Sequence, residues 1–183
     1  LPQLISHELA DKQTKLKTAL DIDQDLPFVS IDRELFSQMV HELIENTHQA
    51  TEGAGELSVR LSRHADNERD PTGSGGESSV KLSLHDDGPG IDHLDLQRLF
   101  LPYFSTRESN RGLGLTIVRN IVQRHNGKIS ISSSPGKGTT VDIFIPFQES
   151  TSSLGPEQTD NEPLGTNTGH ILFGGGDAIV TDV

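Results

Sequence analysis

The chain has 183 residues, 32% of them hydrophobic, and carries 15 Lys+Arg against 27 Asp+Glu, a net charge of −12. This length holds one domain with an appendage, and the low apolar fraction leaves part of the chain solvated. The acid excess opposes broad contact with a nucleic-acid backbone, no apolar run reaches the length of a membrane span or follows a basic start as in a signal peptide, and the lack of Cys excludes disulfides, thiol catalysis and cysteine-ligated zinc.

Leu4, Ile5 and Leu9 suggest a short N-terminal helix, after which Leu16, Thr18, Leu20 and Ile22 alternate like a strand. From Asp32, a suitable N-cap, to about Thr51 the apolar residues Phe36, Met39, Val40, Leu43 and Ile44 recur with helical spacing. Strands are expected at Glu56 to Leu61 and Val80 to His85, with Ser62 to Ser79, whose one apolar residue is Ala65, as a long hairpin loop. A glycine turn at Asp86 to Gly90 leads to a short helix at Asp92 to Leu99 and a loop to Gly112. A helix from Leu113 to His125 follows, with Gly127 as its C-cap. Lys128 to Ser134 and Thr139 to Phe147 read as a hairpin closed by Pro135-Gly136-Lys137-Gly138. Gln148 to Thr168 has linker composition, and residues 148–183 hold six acids and no Lys or Arg, half of the net charge. The expected fold class is α+β: a two-layer sandwich of a mixed, mainly antiparallel sheet with helices on one face.

Three segments carry chemistry. Glu42, Asn46 and Gln49 share one helix face, expected on the side away from Val40, Leu43 and Thr47, where a carboxylate and an amide one turn apart suit a hydrated Mg²⁺. Read alone, the same face is an ordinary solvated one. Asp86 ends a strand and is followed by Gly88 and Gly90, so a ligand can approach the backbone while the carboxylate accepts from an exocyclic amine such as that of adenine. A plain strand-to-helix turn has the same residues. Gly112 and Gly114 open a helix whose first amides form an anion site, with Arg107 and Arg111 as nearby charges. His48, His64, His85, His93 and His125 show no metal-ligand spacing.

The order of the segments is more telling than any one of them. Glu42-x-x-x-Asn46, Asp86-x-Gly88-x-Gly90-Ile91, Phe100-Leu-Pro-Tyr-Phe104-Ser-Thr-Arg107, Gly112-Leu113-Gly114-Leu115 and Gly136-Lys-Gly138-Thr139-Thr140 resemble the N box, first glycine box, F box, second glycine box and final glycine/threonine box of the histidine-kinase ATP-binding domain. That family shares its fold with gyrase B, MutL and heat-shock chaperone ATPases. The resemblance implies ATP and Mg²⁺ as cofactors, with Asn46 on the metal and Asp86 reading adenine. It implies that Gly88, Gly90 and Ile91 shape the base pocket with support from Thr139. Gly112, Leu113, Gly114 and Leu115 would meet the phosphates under a short lid at 92–111, and Glu42 would be a secondary base. The chain departs from the family pattern at Gln49, Ala50 and Asn110, where a basic residue, an aromatic residue and a glycine are usual, so Arg107 or Arg111 is expected to supply the phosphate charge.

Ser6-His7-Glu8-Leu9 looks like the family's phosphoacceptor box, but no helical hairpin fits between His7 and His41. The acceptor is therefore expected on a separate dimerisation domain. These readings divide the chain into an N-terminal helix or linker remnant at 1–15, an ATP-binding domain at 16–147 and, at 148–183, an acidic flexible linker or tail, with the start of a further domain as the alternative. The implied activity is that of a two-component sensor histidine kinase with a histidine-containing dimerisation domain and a response regulator as partners, cytoplasmic and homodimeric in the full-length protein. A gyrase- or MutL-type ATPase, a serine kinase of the anti-sigma type and a degenerate nucleotide-binding module are the alternatives.

Overall fold

The computed structural model describes residues 2–10, 16–65, 78–105 and 112–147. In chain order the elements are α1 (Pro2–Ala10), β1 (Lys17–Ile22), α2 (Arg33–Ala50), β2 (Glu56–Ala65), β3 (Ser78–Asp86), α3 (His93–Leu96), α4 (Gly114–Arg124), β4 (Lys128–Ser133) and β5 (Thr139–Pro146). One five-stranded sheet has the order β1-β2-β3-β5-β4, parallel between β1 and β2 and antiparallel elsewhere. This is the mixed, mainly antiparallel α+β arrangement expected from the sequence.

Alternation decides which face is covered. Leu57, Val59 and Leu61 of β2 are buried, as are Val80, Leu82 and Leu84 of β3 and Ile143 and Ile145 of β5, and the register sets Val59 beside Leu84 and Leu61 beside Leu82. Against this face lie Phe36, Met39, Val40, Leu43 and Ile44 of α2, Val118, Ile121 and Val122 of α4, and Ile5 of α1 in a single core. The opposite face is polar: the Ser83 hydroxyl donates to Asp142 at 2.6 Å, and the other Asp142 oxygen lies 3.0 Å from the Lys81 ammonium.

Asp32 caps α2 as its sequence suggests, its Oδ1 accepting from the Leu35 amide at 3.0 Å. Its own amide donates 2.9 Å to Nε2 of His125, which ends α4. Nδ1 of the same ring lies 2.8 Å from the Ile121 carbonyl, which only accepts, so Nδ1 donates there. The histidine thus ties the start of α2 to the end of α4, the two helices that bear the site.

Three local expectations need correcting. β2 and β3 continue through Ser62–Ala65 and Ser78–Ser79, inside the stretch expected as loop. Ser62 and His64 alternate onto the face opposite Leu61, and Arg63 lies 5.4 Å from the Phe147 ring centroid at the end of the ladder, so polarity there does not end the strands. The helix expected at Asp92–Leu99 shrinks to α3: Asp92 caps it, but none of its residues is buried and Leu94 is 72% exposed, so packing does not extend it. Past α4 the left-handed position is Asn126 rather than Gly127. Gly127 serves close approach, because a Cβ there would lie 2.6 Å from the Phe144 carbonyl. No helix among the described residues is long and apolar enough to cross a membrane.

Candidate functional site

A cleft of about 440 Å³ opens between α2, the turn after β3, the N-terminus of α4 and the β4–β5 hairpin. From α2 it receives Glu42 and Asn46, together with Leu43 and Thr47 of the buried stripe. The expectation that Glu42, Asn46 and Gln49 face away from that stripe is therefore corrected: the cleft cuts along the stripe's edge and takes both sets. Asn46 is the more telling of the pair, since its Nδ2 is buried without a hydrogen-bond partner among the described residues. An amide left unpaired inside a fold is costly unless a ligand completes it.

Gly114 lies directly opposite. A Cβ at that position would stand 2.9 Å from Glu42 Oε2 and 3.5 Å from both amide atoms of Asn46, so a side chain there would crowd this corner and displace the Glu42 carboxylate. Gly112, Leu113, Gly114 and Leu115 all line the cleft. α4 begins there with Leu113 as N-cap, whose side chain makes no capping hydrogen bond, so the cap leaves the first amides as donors for a bound anion.

At the far end stands Asp86, 8% exposed at the end of β3. Its Oδ1 accepts from the Gly88 amide at 3.0 Å. Desolvation by burial raises its pKa above the ordinary aspartate value. Hydrogen bonds from the Gly88 and Thr139 backbones and the charge of His85 pull the other way, while Asp87 adds to the rise. A desolvated carboxylate with donors already on it is a strong, directed acceptor for a further N–H.

The turn that follows is interlocked with the β4–β5 hairpin, backbone against backbone. Gly90 (φ +71°) faces the Ser134 carbonyl and Gly138 (φ +75°) faces the Asp86 carbonyl so closely that a Cβ at either would collide. The Gly136 amide donates to the Pro89 carbonyl at 2.7 Å. Ile91 lines the cleft and donates its amide to Ser133 Oγ at 2.9 Å, and Thr139, paired with Asp86 across β3 and β5, completes this wall.

The structure thus brings Glu42, Asn46, Asp86, Gly90, Ile91, Gly112, Leu113, Gly114, Leu115 and Thr139 to one cleft. Gly88 does not line it and acts through its bond to Asp86. Arg107 and Arg111, the lid residues from 106 to 111 and the tail at 148–183 lie outside the described residues. Among the described lining residues Glu42, Glu45 and Asp86 are acidic and none is Lys, Arg or His. Sequence reasoning missed Ser133, which gave no signal among neighbouring serines, and Arg119, whose guanidinium carbon lies 5.5 Å from the Phe100 ring centroid. Arg98 stacks at 4.5 Å on Phe104, and the two arginines hold both F-box phenylalanines.

Residues 31–149 match the family described as histidine kinase-, DNA gyrase B- and HSP90-like ATPases. The signal transduction histidine-protein kinase AtoS of Escherichia coli (strain K12) is 28% identical over 144 residues, 79% of this chain and 22% of AtoS. The sensor histidine kinase ZraS of the same strain is 34% identical over 145 residues, 79% of this chain and 28% of ZraS. The chain therefore spans less than a third of the length of either relative. In fold it is similar to the mycobacterial sensor histidine kinase MprB, with a TM-score of 0.64 and 22% identity over 79% of this chain and 93% of that one. The chain belongs to the histidine kinase-, DNA gyrase B- and HSP90-like ATPase family.

Proposed function

We propose that this member of the family is the ATP-binding catalytic domain of a two-component sensor histidine kinase, passing the γ-phosphate of ATP to a histidine on a dimerisation domain for relay to a response regulator. The observation that carries the reading is one cleft with three complementary corners: a buried carboxylate acceptor at Asp86, an unpaired amide at Asn46, and uncapped helix amides at Gly112–Leu115. ATP has matching parts: an amine-bearing base for Asp86, and phosphate oxygens to accept from Asn46 Nδ2 and from the helix amides.

In this reading Asp86 accepts from the adenine amine and Ile91 and Thr139 wall the base. The amides at the start of α4 take phosphate oxygens. Asn46 and Glu42 provide the oxygen ligands that Mg²⁺ prefers, and among the described residues no group of three or more His, Cys, Asp or Glu could hold a metal without help. A bound Mg²⁺, held by Asn46 and Glu42, would supply neutralisation of the phosphate charge. The acidic lining makes such neutralisation necessary, with Arg107 or Arg111 as the protein's own contribution. Phosphoryl transfer asks mainly for positioning and charge compensation, which these groups supply.

The acceptor histidine belongs to a dimerisation domain rather than to His7, the full-length protein is a homodimer, and the reaction runs in the cytoplasm. A hydrolytic reading has one observation in its favour, the position of Glu42 beside Gly114 at the phosphate end of the cleft. The test is to mix the chain with γ-labelled ATP, Mg²⁺ and the dimerisation domain of its own kinase. Acid-labile label on the dimerisation domain, lost in Asn46→Ala, is the expected result. Rapid phosphate release lost in Glu42→Ala would establish the ATPase instead, label on serine a serine kinase, and binding without either product a nucleotide-binding module.

A further inference from the structure

Ser133, the last residue of β4, sits behind the base end of the cleft, and its hydroxyl makes three contacts. It accepts from the Ile91 amide at 2.9 Å, donates to the Gly138 carbonyl at 2.7 Å, and lies 3.0 Å from Thr139 Oγ1. A serine hydroxyl has one proton and two lone pairs. The Gly138 carbonyl can only accept, so the single Ser133 proton is committed there. One lone pair is taken by Ile91. The contact with Thr139 must then use the proton of Thr139, donated into the second lone pair of Ser133. Thr139, which lines the cleft, is left with lone pairs and no proton for a ligand.

We propose that Ser133 is a specificity-determining residue of this cleft: by holding the Thr139 proton it makes Thr139 an acceptor toward the bound base, alongside Asp86. The inference rests on the nucleotide reading above. Two acceptors suit a purine with an amine at its six position and repel one with an oxo group there. The selectivity for adenine is thus fixed partly by a residue that does not touch the base. Ser133 is a positioning residue, acting through Thr139. Without its hydroxyl the Thr139 proton is free to turn into the cleft and meet an oxo group, so discrimination weakens from the side of the wrong base.

The test is the ratio of affinities for ATP and inosine triphosphate, measured by calorimetry with Mg²⁺ on wild type, Ser133→Ala, Ser133→Thr and Thr139→Val. Wild type should prefer ATP, and Ser133→Ala should lower the ratio about tenfold, the effect of one well-placed hydrogen bond. Most of the change should come from improved inosine triphosphate binding, which a merely loosened pocket would not give. Ser133→Thr keeps the hydroxyl and should keep the ratio. Thr139→Val has no proton to release and should make the further change Ser133→Ala silent. An unchanged ratio in Ser133→Ala that still binds ATP overturns the proposal alone. Wild-type protein that binds neither nucleotide overturns the nucleotide reading and this inference with it. Should Ser133→Ala fail to fold, proton NMR of the wild-type chain decides: a slowly exchanging Thr139 hydroxyl proton close to the Ser133 β-protons is expected, and a fast-exchanging one contradicts the assignment.

Discussion

Replacing Asp86 by Asn preserves shape and removes the charge at the base end of the cleft. The asparagine carbonyl takes over the 3.0 Å bond from the Gly88 amide, so the turn keeps its geometry. An amide NH₂ now stands where a carboxylate oxygen met the adenine amine, a donor facing a donor. Losing a hydrogen bond to a charged group costs about 1.5–3 kcal/mol, roughly ten- to a hundredfold in the dissociation constant for ATP. The same carboxylate also ties affinity and stability to pH. Its folded-state pKa is raised by desolvation, so the native protein holds this proton to higher pH than the unfolded chain. Stability contributed by Asp86 is then largest at low pH and falls as pH rises from the unfolded value through the raised folded one. ATP affinity moves oppositely, falling as acidification protonates the acceptor. Calorimetric titration and urea unfolding across pH 4 to 8 on both proteins should show a pH-dependent stability difference that Asp86→Asn flattens. Wild-type ATP affinity in Asp86→Asn would refute the assignment of the base to this corner.

Asn46→Ala should leave the apo protein as stable as wild type or slightly more so by thermal unfolding, because its buried Nδ2 has no hydrogen-bond partner among the described residues, yet remove most of the affinity that Mg²⁺ adds to ATP binding in titrations with and without EDTA. Gly138→Ala forces a Cβ into the Asp86 carbonyl at φ +75°, and urea unfolding should register a loss of about 2–4 kcal/mol from left-handed strain and overpacking together. Arg119→Ala should release Phe100, with faster amide exchange over residues 98–104, unchanged exchange in β2, and a stability cost of about 0.5–1 kcal/mol.

The elements legible in advance were those whose residues carry a strong period or cap. Asp32 and the apolar spacing announce α2, and alternation announces the buried face of β2, β3 and β5. Where the sheet is covered on one face only, polarity misleads: Ser62, Arg63 and His64 read as loop, yet the ladder with Ser79, Val80 and Lys81 continues through them. For the cleft, residues of special chemistry at fixed spacing marked Glu42, Asn46, Asp86 and the glycines. What spacing cannot reveal is the partner of each glycine. That Gly138 is required by the Asp86 carbonyl, and that Gly114 faces Glu42, follows only from segments brought together in space. Ser133 was hidden for the same reason, its role residing in bonds to Ile91, Gly138 and Thr139 rather than in its type.

The central claim, that one nucleotide spans this cleft from Asp86 to the start of α4, is tested most directly by a crystal structure of the chain with Mg²⁺ and a non-hydrolysable ATP analogue. The base is expected between Ile91 and Thr139 with its amine on Asp86, the phosphates at the amides of Gly112–Leu115, and the metal on Asn46. Density for the analogue outside the cleft, or with the base at α4 and the phosphates at Asp86, would contradict it.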